Sequence, residues 1–583
     1  LKNCCTMEAK ICKRLPGGIS DFRVLRSENY AYVDKTRFIE RLENESNPNR
    51  FFIRPRKFGK SLFLTMLRYY YDINSKDEFE PLFGDLHVGQ NPTPGRNSYA
   101  MLEFDFSGVK TATQDDFMES FSGNVQEGLR SFVLKYRNLF PDAELVPKYS
   151  ETKIGIDALN IVFNAAAVNK INIYLIIDEY DHFANNLIAM GNQPGKDFYK
   201  TMVKANGLVR NFYENIKAAG KSSLRQTFIT GVSPVMLHDV TSGYNIAGHL
   251  TLNPHYNEML GFTRAEVEIL MDETGVERKY INVDMEAYYN GYLFYPDCEN
   301  RVYNPTMILS YLKQAVDFKK PPAQIIDPNL QMDYGRLRAL IQNENNRTIL
   351  LEILREGEIV SEILETFSIN QLYDEGYFIS QLFYLGLLTI KKGPVLMATL
   401  CIPNYTIRTL YWEYLAKQLA NTSPEMTVAT TRLNRAVHAL AHEGNLHEFI
   451  AYVSENAFGK LSDYDLRRFD EKYIQILLLA YLFMSRLYIP MSEYEAVPGR
   501  TDIFLQRNPV IPGVRYEWVF ELKYCKASAS DAEIAAQREQ ALEQLDKYVH
   551  SHRLREREDL KAAAIVFVGK NRFEIAEYRR RIL

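Results

Sequence analysis

The length, composition and charge of the chain describe an ordinary globular protein and exclude several classes. The chain has 583 residues, 46% of them hydrophobic and 24% charged, as is typical of soluble domains. Its formal net charge of −4 gives no argument for nucleic-acid binding from bulk charge, so any basic surface must be local. No apolar run approaches the roughly 20 residues that span a bilayer, so we expect no membrane partner. Residues 1–6 lack a long apolar segment, so we also expect no secretory signal.

The cysteine pattern predicts a reduced, cytoplasmic protein. The six cysteines lie at positions 4, 5, 12, 298, 401 and 525, without the paired spacing of a metal site. Cys4, Cys5 and Cys12 could form a ligand cluster, but they lack a fourth cysteine or a nearby histidine. Incidental reduced thiols are therefore the simpler interpretation.

The first element with chemical content is a strand, a loop and a helix around residue 54. Phe51-Phe52-Ile53 is an apolar strand candidate, Gly59-Lys60-Ser61 follows it, and Leu62 opens an apolar helical run. This is the context of a P-loop, in which backbone N–H groups bind phosphates, the lysine reaches the β and γ oxygens, and the serine hydroxyl ligates Mg²⁺. We therefore expect an ATP and Mg²⁺ site at Arg56, Lys57, Phe58, Gly59, Lys60, Ser61 and Leu62.

One position departs from the P-loop motif. Arg54 stands where the first glycine is usual, so the loop must turn without that glycine. Arg56 and Lys57 would add positive charge beside the phosphates. The alternative is a basic strand end that runs into Gly-Lys-Ser by chance.

A second predicted strand brings two acids to the same site. Residues 173–177 form a continuous apolar run, typical of a central parallel strand, and end in Asp178 and Glu179. Asp178 would join Ser61 in the Mg²⁺ shell, and Glu179 would orient and deprotonate the attacking water. Alternatively, the two acids simply cap the next helix. A later strand ends at Thr230, whose hydroxyl could contact the γ-phosphate, although threonine is also an ordinary strand residue.

The middle of the chain predicts a parallel sheet followed by smaller modules. A strand candidate at residues 100–106 alternates with helical patterns, which favours a parallel α/β sheet whose phosphate site lies at the carboxyl ends of its strands. Thr263 and Glu266 form a predicted capping box at the start of a helical lid. Residues 379–390 and 394–400 predict a helix, a strand and a hairpin, hence a winged-helix-like module. Such modules bind DNA or serve as packing spacers, and without a basic recognition helix we favour the spacer.

Two strands near the C-terminus predict a second chemistry. Side chains alternate along a strand, so Glu521 and Lys523 share one face while Leu522 packs behind them. Asp502, on the preceding strand, could share a Mg²⁺ with Glu521 and so generate hydroxide, while Lys523 would orient the nucleophile or stabilise developing negative charge. The alternative is a solvent-facing Glu-x-Lys pair that merely stabilises a sheet. Arginines at 553, 555, 557 and 579–581 make this part locally basic, which suits a DNA backbone or a plain solvated surface.

Several segments together carry a family resemblance. They are Leu15 to Phe22, Tyr32 to Thr36, Arg54 to Ser61, Ile177 to Asp181, Thr230 to Pro234, Tyr289 to Tyr292 and Tyr303 to Pro305. The chain resembles the bacterial AAA-ATPase-like family, whose members usually carry a C-terminal PD-(D/E)xK nuclease-superfamily domain. That family shares the arginine at position 54.

The resemblance implies boundaries and two further site residues. It implies an AAA-like ATPase domain at 15–255, a helical lid at 256–320, a helical and winged-helix-like middle at 321–435, and a nuclease-like α/β domain at 436–583. A preceding helix often supplies another metal-binding acid in such nucleases, which maps onto Glu471. A following helix often supplies a glutamine, which maps onto Gln544.

Three functions remain open from the sequence. The first is an ATP-dependent, DNA-processing protein with a Mg²⁺-dependent nuclease domain. The second is a regulatory ATPase whose nuclease-like fold is an inactive binding module. The third is a scaffold with a dead P-loop, which is disfavoured by the intact Lys60, Ser61, Asp178 and Glu179. We also expect a homo-oligomer in which an arginine, Arg210 or Arg225, completes a neighbouring ATP site, although either could be a surface ion-pair residue.

Overall fold

The computed structural model describes most of the chain, in two compact units. The described residues are 12–140, 155–189, 193–203, 207–236, 245–281, 283–320, 322, 344–366, 374–421, 426–458, 470–485, 487–496, 499–508, 511, 513–570 and 572–579. The units are Leu1–Tyr405 and Thr406–Leu583, and each is described by itself. Within the described residues, no helix has both the length and the apolar character needed to cross a bilayer. Two of the six cysteines, Cys4 and Cys5, lie outside the described residues.

The first unit is built on a parallel five-stranded sheet. Its strands are β1 (Asn49–Ile53), β2 (Ala100–Asp105), β3 (Ile173–Asp178), β4 (Leu224–Gly231) and β5 (Gly248–His249). They lie in the order β2-β3-β4-β1-β5, and every pair is parallel. The first five residues of β3 are buried, as its continuous apolar run predicts for a central strand covered on both faces. The predicted parallel α/β sheet is therefore confirmed.

Helices cover this sheet and precede the smaller module. They are α1 (Phe22–Ser27), α2 (Arg37–Asn44), α3 (Lys60–Tyr71), α4 (Phe79–Phe83), α5 (His87–Gln90), α6 (Gln114–Lys135), α7 (Gly155–Val168), α8 (His182–Ala189), α9 (Gln193–Val203), α10 (Leu208–Ala219), α11 (Arg264–Thr274), α12 (Met285–Tyr289) and α13 (Pro305–Phe318). The capping box predicted for α11 is present, because Thr263 accepts from the backbone of Glu266 and the Glu266 side chain accepts from Thr263.

A winged-helix-like module ends the first unit. It comprises α14 (Glu344–Glu356), β6 (Glu358–Ser361), α15 (Glu375–Tyr384), β7 (Thr389–Lys392) and β8 (Ala398–Cys401). The strands form an antiparallel sheet in the order β6-β8-β7, so the predicted helix and hairpin are confirmed. Every residue of α15 from Phe378 to Tyr384 is buried. A helix buried along this length has no free face for a DNA groove, which favours the spacer interpretation.

The second unit is built on a mixed five-stranded sheet. Its strands are β9 (Tyr488–Ala496), β10 (Gly499–Arg507), β11 (Glu517–Cys525), β12 (Leu560–Val568) and β13 (Arg572–Tyr578), in the order β13-β12-β11-β10-β9. Only β11 and β12 are parallel among these described strands. Its helices are α16 (Tyr405–Asn421), which begins at the boundary, α17 (Met426–His438), α18 (Leu446–Asn456), α19 (Glu471–Ser485) and α20 (Asp531–Val549). A core that includes Phe504, Val519 and Leu545 holds α20 on the sheet.

Candidate nucleotide and metal sites

The P-loop connects β1 to α3 and is shaped by two left-handed residues. Lys57 has φ 66° and Gly59 has φ 92°, and α3 begins at Lys60 directly after the glycine. The ammonium group of Lys60 donates to the carbonyl oxygens of Arg54, at 3.1 Å, and Pro55, at 3.2 Å. Lys60 is 7% exposed. It therefore sits within the loop, where bound phosphate oxygens would compete for its protons.

Arg54, which stands at the usual position of the first P-loop glycine, is anchored by its side chain. The side chain is 1% exposed, and it donates to the carbonyl oxygens of Thr251 and Tyr256, each at 3.0 Å. Its guanidinium lies 4.2 Å from the ring centre of Phe52 and 3.9 Å from that of Phe294. These contacts desolvate a cation between two aromatic faces. The arginine therefore ties the start of the loop to the segments that follow β5 and α12.

The predicted Mg²⁺ ligands lie together at the carboxyl end of the sheet. The Ser61 hydroxyl donates to Oδ2 of Asp178 at 2.8 Å. Burial, with the nearby charge of Glu179, raises the pKa of Asp178 to about 6, against the opposing effects of Lys60 and Ser61. Asp105, which the sequence reasoning missed, ends β2 directly opposite Asp178. Its position near the end of the predicted strand at residues 100–106 was the sequence signal from which Asp105 could have been predicted as a site residue.

Glu179 and Thr230 lie where strands β3 and β4 end. Glu179 adopts a left-handed φ of 50°, and its N–H donates to Oδ1 of Asp178 at 2.9 Å. Thr230 pairs with Phe52 of β1, and its hydroxyl is buried with no hydrogen-bond partner among the described residues. A buried hydroxyl without a partner costs free energy, so Thr230 suits a contact with a bound ligand.

An apolar cavity of about 140 Å³ lies beside the P-loop. Phe58 and Gly59 of the loop line it, together with Leu62 of α3, Leu270 of α11 and residues of three other segments: 16–35, 259–262 and 305–309. A flat aromatic base next to a phosphate site needs such a concave apolar surface. Pro16, Gly18 and Ile19 of the segment Leu15 to Phe22 therefore lie beside the P-loop.

In the second unit, β10 and β11 bring the predicted acids together. Ile503 pairs with Phe520 in an antiparallel register, so the next position along the ladder places Asp502 beside Glu521. Oδ2 of Asp502 accepts from the N–H of Leu522 at 2.7 Å. Glu521 is 3% exposed, and its Oε2 has no hydrogen-bond partner among the described residues.

Electrostatics at this acid pair are strongly perturbed. Burial, and then the carboxylate of Asp502, raise the pKa of Glu521 to about 8. Lys523 donates to Oε1 of Glu521 at 3.2 Å and lies 3.7 Å from Oε2 of Glu471. Burial alone would lower the pKa of Lys523, but Glu521, Glu471 and Asp502 raise it. The lysine thus partly neutralises the acids.

Two helices supply the remaining predicted residues. Glu471 begins α19 and accepts from the N–H of Tyr524 at 3.4 Å. One turn later Gln475, which the sequence reasoning missed, donates to the backbone oxygen of Asp502; its spacing of four residues from Glu471 was the available signal. Gln544 lies on α20, and its Oε1 is buried without a partner among the described residues.

The donor set fits a hard divalent cation. Mg²⁺ is bound through carboxylate oxygens and water, and the bare Oε2 of buried Glu521 beside Asp502 offers such an oxygen. In the described ranges, no three or more His, Cys, Asp or Glu side chains are grouped so that they could hold a metal ion. The acids are therefore a pair rather than a complete protein cage.

The arginines of the second unit are less available than their sequence predicts. Arg557 pairs with buried Glu517 at 2.9 Å and stacks on the Phe504 ring, so it stabilises the fold. Arg555 pairs with the exposed Glu556. Arg580 and Arg581 lie outside the described residues. The predicted basic surface is thus corrected at Arg557, because a buried carboxylate uses its charge.

The two candidates for an arginine that completes a neighbouring site each have a local partner. Arg210 pairs with Glu214 at 2.9 Å, one turn along α10. Arg225 donates to the side chain of Asn172 at 3.2 Å. The alternative of a surface ion-pair residue therefore describes Arg210 well, and self-association stays a prediction.

Comparison with known proteins identifies both domains. The family described as "Predicted AAA-ATPase" matches residues 16–241, and the "PD-(D/E)XK nuclease superfamily" matches residues 469–577. An "Uncharacterized protein in vnfD 5'region" from Azotobacter chroococcum mcd 1 is 25% identical over 399 residues, which cover 68% of this chain and 67% of that protein. The crystal structure of Cdc6p from Pyrobaculum aerophilum aligns over 65% of this chain and 92% of its own, with 11% identity and a TM-score of 0.23. The chain therefore joins a domain of the predicted AAA-ATPase family to a C-terminal domain of the PD-(D/E)XK nuclease superfamily.

Proposed function

We propose that the chain binds and hydrolyses ATP with Mg²⁺ and carries a Mg²⁺-dependent nuclease site that acts on DNA. One observation supports each half. In the first unit, the Ser61 hydroxyl lies 2.8 Å from Oδ2 of Asp178, beside the P-loop lysine. In the second unit, the buried Oε2 of Glu521 has no hydrogen-bond partner among the described residues, and Glu521 lies beside Asp502. The family matches support this two-part architecture.

The residues of the first unit divide the work of ATP hydrolysis. Ser61 and Asp178 would hold Mg²⁺, which neutralises phosphate charge when bound. Lys60 exchanges its bonds to loop carbonyls for the β and γ oxygens, and the cavity beside Phe58 takes the base. Glu179 accepts a proton from the attacking water. The Thr230 hydroxyl donates to the γ-phosphate or to that water.

The residues of the second unit divide the work of phosphodiester cleavage. Asp502 and Glu521 would hold the divalent cation, which lowers the pKa of a bound water when present. Lys523 orients the nucleophile and stabilises negative charge that develops on the phosphate. Glu471 helps hold Lys523, at 3.7 Å, and Gln544 donates from its amide towards substrate or water.

The test is an activity assay on the purified full chain. We expect Mg²⁺-dependent ATP turnover that is lost in Lys60→Ala. With Mn²⁺ and ATP we expect cleavage of linear or circular DNA, single- or double-stranded, that is lost in Asp502→Asn. ATP turnover with every DNA left intact, and no Asp502-dependent metal binding by calorimetry, would refute the nuclease half alone.

A regulatory ATPase with an inactive C-terminal module is the second candidate. Two observations favour it. No three metal-binding side chains converge in the described part of the chain, and Lys523 donates to Oε1 of Glu521 at 3.2 Å, where a cation would otherwise lie. A crystal soaked in Mn²⁺ separates the two functions. An ion bound between Asp502 and Glu521 supports the nuclease, whereas an empty site with Lys523 in place supports the regulatory module.

A further inference from the structure

Four successive carbonyl oxygens of the P-loop accept hydrogen bonds from side chains. Lys60 donates to those of Arg54 and Pro55. The next two carbonyls turn instead to the start of α13, far away in sequence. The Thr306 hydroxyl donates to the oxygen of Lys57 at 3.0 Å, and the Asn304 amide donates to that of Arg56 at 3.4 Å.

Asn304 is built to do two tasks at once. It is the N-cap of α13, where its Oδ1 accepts from the N–H of Thr306 at 3.1 Å and of Met307 at 3.3 Å. Its amide nitrogen is thereby aimed away from the helix, towards Arg56. The side chain is 2% exposed. An asparagine cap with proline at the first helical position is a rigid start for a helix, so the donors reach the P-loop from a firm support.

Because the peptide bond is planar, these contacts also set the direction of the neighbouring backbone N–H groups. In a trans peptide, the C=O of one residue and the N–H of the next point in opposite directions. Drawing the oxygens of Arg56 and Lys57 towards α13 therefore turns the N–H groups of Lys57 and Phe58 the other way. Lys57 also holds a left-handed φ of 66°, which a side chain other than glycine adopts at a cost. The bond from Thr306 offsets that cost.

We infer that Asn304 and Thr306 are positioning residues that aim the P-loop N–H groups at the phosphates of a bound nucleotide. This inference rests on the proposed ATP site. It assigns a task to the Tyr303-Asn304-Pro305 segment, which the sequence reasoning left without one. The start of α13 also lines the apolar cavity through Pro305, Thr306 and Leu309, so one helix contacts both the loop and the space for the base.

Calorimetric titration of the full chain with MgATP and MgADP tests the inference. Thr306→Val keeps the shape of the side chain but removes the donor, and we expect nucleotide affinity to fall on the order of 10-fold, as for the loss of one hydrogen bond. Thr306→Ser restores the hydroxyl and should bind within about twofold of the parent. Asn304→Ser retains an N-cap oxygen but is too short to reach Arg56, so it should also weaken binding. Ser310→Ala, one turn further along α13, is the matched control.

The outcomes separate this inference from the function on which it rests. If the parent binds MgATP, Lys60→Ala does not, and both Thr306→Val and Asn304→Ser bind as the parent does, the positioning task is refuted while the ATP site stands. If the parent itself does not bind MgATP, both fail. Unfolding of each variant without nucleotide shows whether a loss of affinity comes from the loop. A fall in affinity with an unchanged unfolding midpoint, rescued by Thr306→Ser, supports the inference.

Discussion

The hydroxyl of Ser233 donates to Oε1 of Gln381 at 2.9 Å, although 148 residues separate the two. Both side chains are buried. The backbone N–H of Ser233 in turn donates to Oδ2 of Asp181 at 2.8 Å. These two hydrogen bonds join the loops that follow β3 and β4 to helix α15 of the winged-helix-like module. Asp181, which accepts one of them, lies two residues beyond Glu179.

Breaking this bond should destabilise the first unit. Gln381→Leu leaves the buried Ser233 hydroxyl without its acceptor, which costs about 1–3 kcal/mol. Chemical denaturation followed by circular dichroism measures the loss. In a double-mutant cycle with Ser233→Ala, the double variant should lose less stability than the sum of the single variants. Strict additivity would show that the two residues do not interact.

Glu179→Gln should bind ATP and fail to hydrolyse it. The amide keeps the size of the carboxylate but cannot accept the proton of the attacking water. Nucleotide binding by calorimetry and phosphate release under single-turnover conditions separate the two steps. Glu214→Gln, which removes the negative charge that pairs with Arg210 on the surface of α10, is the control and should retain turnover. Parental turnover in Glu179→Gln would remove Glu179 from the mechanism.

Lys523→Ala should leave metal binding intact and slow DNA cleavage by about 10²-fold or more, because the lysine acts on developing charge rather than on coordination. Glu521→Gln should lose both metal binding and cleavage. Mn²⁺ titration and a cleavage time course measure the two effects. Lys526→Ala, just beyond β11, should behave as the parent. If Lys523→Ala loses Mn²⁺ binding, the lysine instead holds the metal-binding acids in position.

The metal-free second unit should lose stability as the pH rises. The pKa of Glu521 in the folded chain is raised, by burial and then by Asp502, from 4.5 to about 8. The folded chain therefore favours the protonated form of Glu521. The contribution of this acid to the free energy of unfolding is complete below about pH 4.5, falls as the pH rises, and is lost once the pH has passed about 8. Glu521→Gln cannot titrate and should show a flatter curve. Both tryptophans, Trp412 and Trp518, lie in this unit, so their fluorescence follows its unfolding.

Added Mg²⁺ should reverse this pH trend, because the cation takes the place of the proton on Glu521. Its stabilising effect should therefore grow with pH in the parent and be absent in Glu521→Gln. A parent and a Glu521→Gln variant with parallel pH curves in the absence of metal would contradict the raised pKa.

Arg54→Gly should recover the usual P-loop glycine and still destabilise the chain. The carbonyls of Thr251 and Tyr256 lose a buried donor and two rings lose a cation, so we expect a loss of at least about 2 kcal/mol. Arg54→Ala removes the same contacts without the backbone freedom of glycine, so it should lose nearly as much stability. Thermal unfolding compares both variants with the parent. A parental midpoint for Arg54→Ala would mean that the contacts of Arg54 contribute little.

Much of the fold and of the candidate sites follows from local patterns in the sequence. A continuous apolar run ending in Asp178 predicts a buried parallel strand with an acid at its carboxyl end, and β3 is that strand. The alternation of Glu521, Leu522 and Lys523 predicts which side chains share a face, and Lys523 indeed contacts Glu521. Such patterns are readable because helices and strands repeat over a few residues.

The remaining relationships were decided only by the tertiary structure. No local sequence pattern predicts that Arg54 donates hydrogen bonds to the carbonyl oxygens of Thr251 and Tyr256. None predicts the hydrogen bond from Thr306 to the carbonyl oxygen of Lys57. The sequence by itself determined which chemical groups the chain carries and on which elements they lie. The partners of those groups, and the burial that shifts their pKa values, depend on packing between segments distant in sequence, where no local period applies.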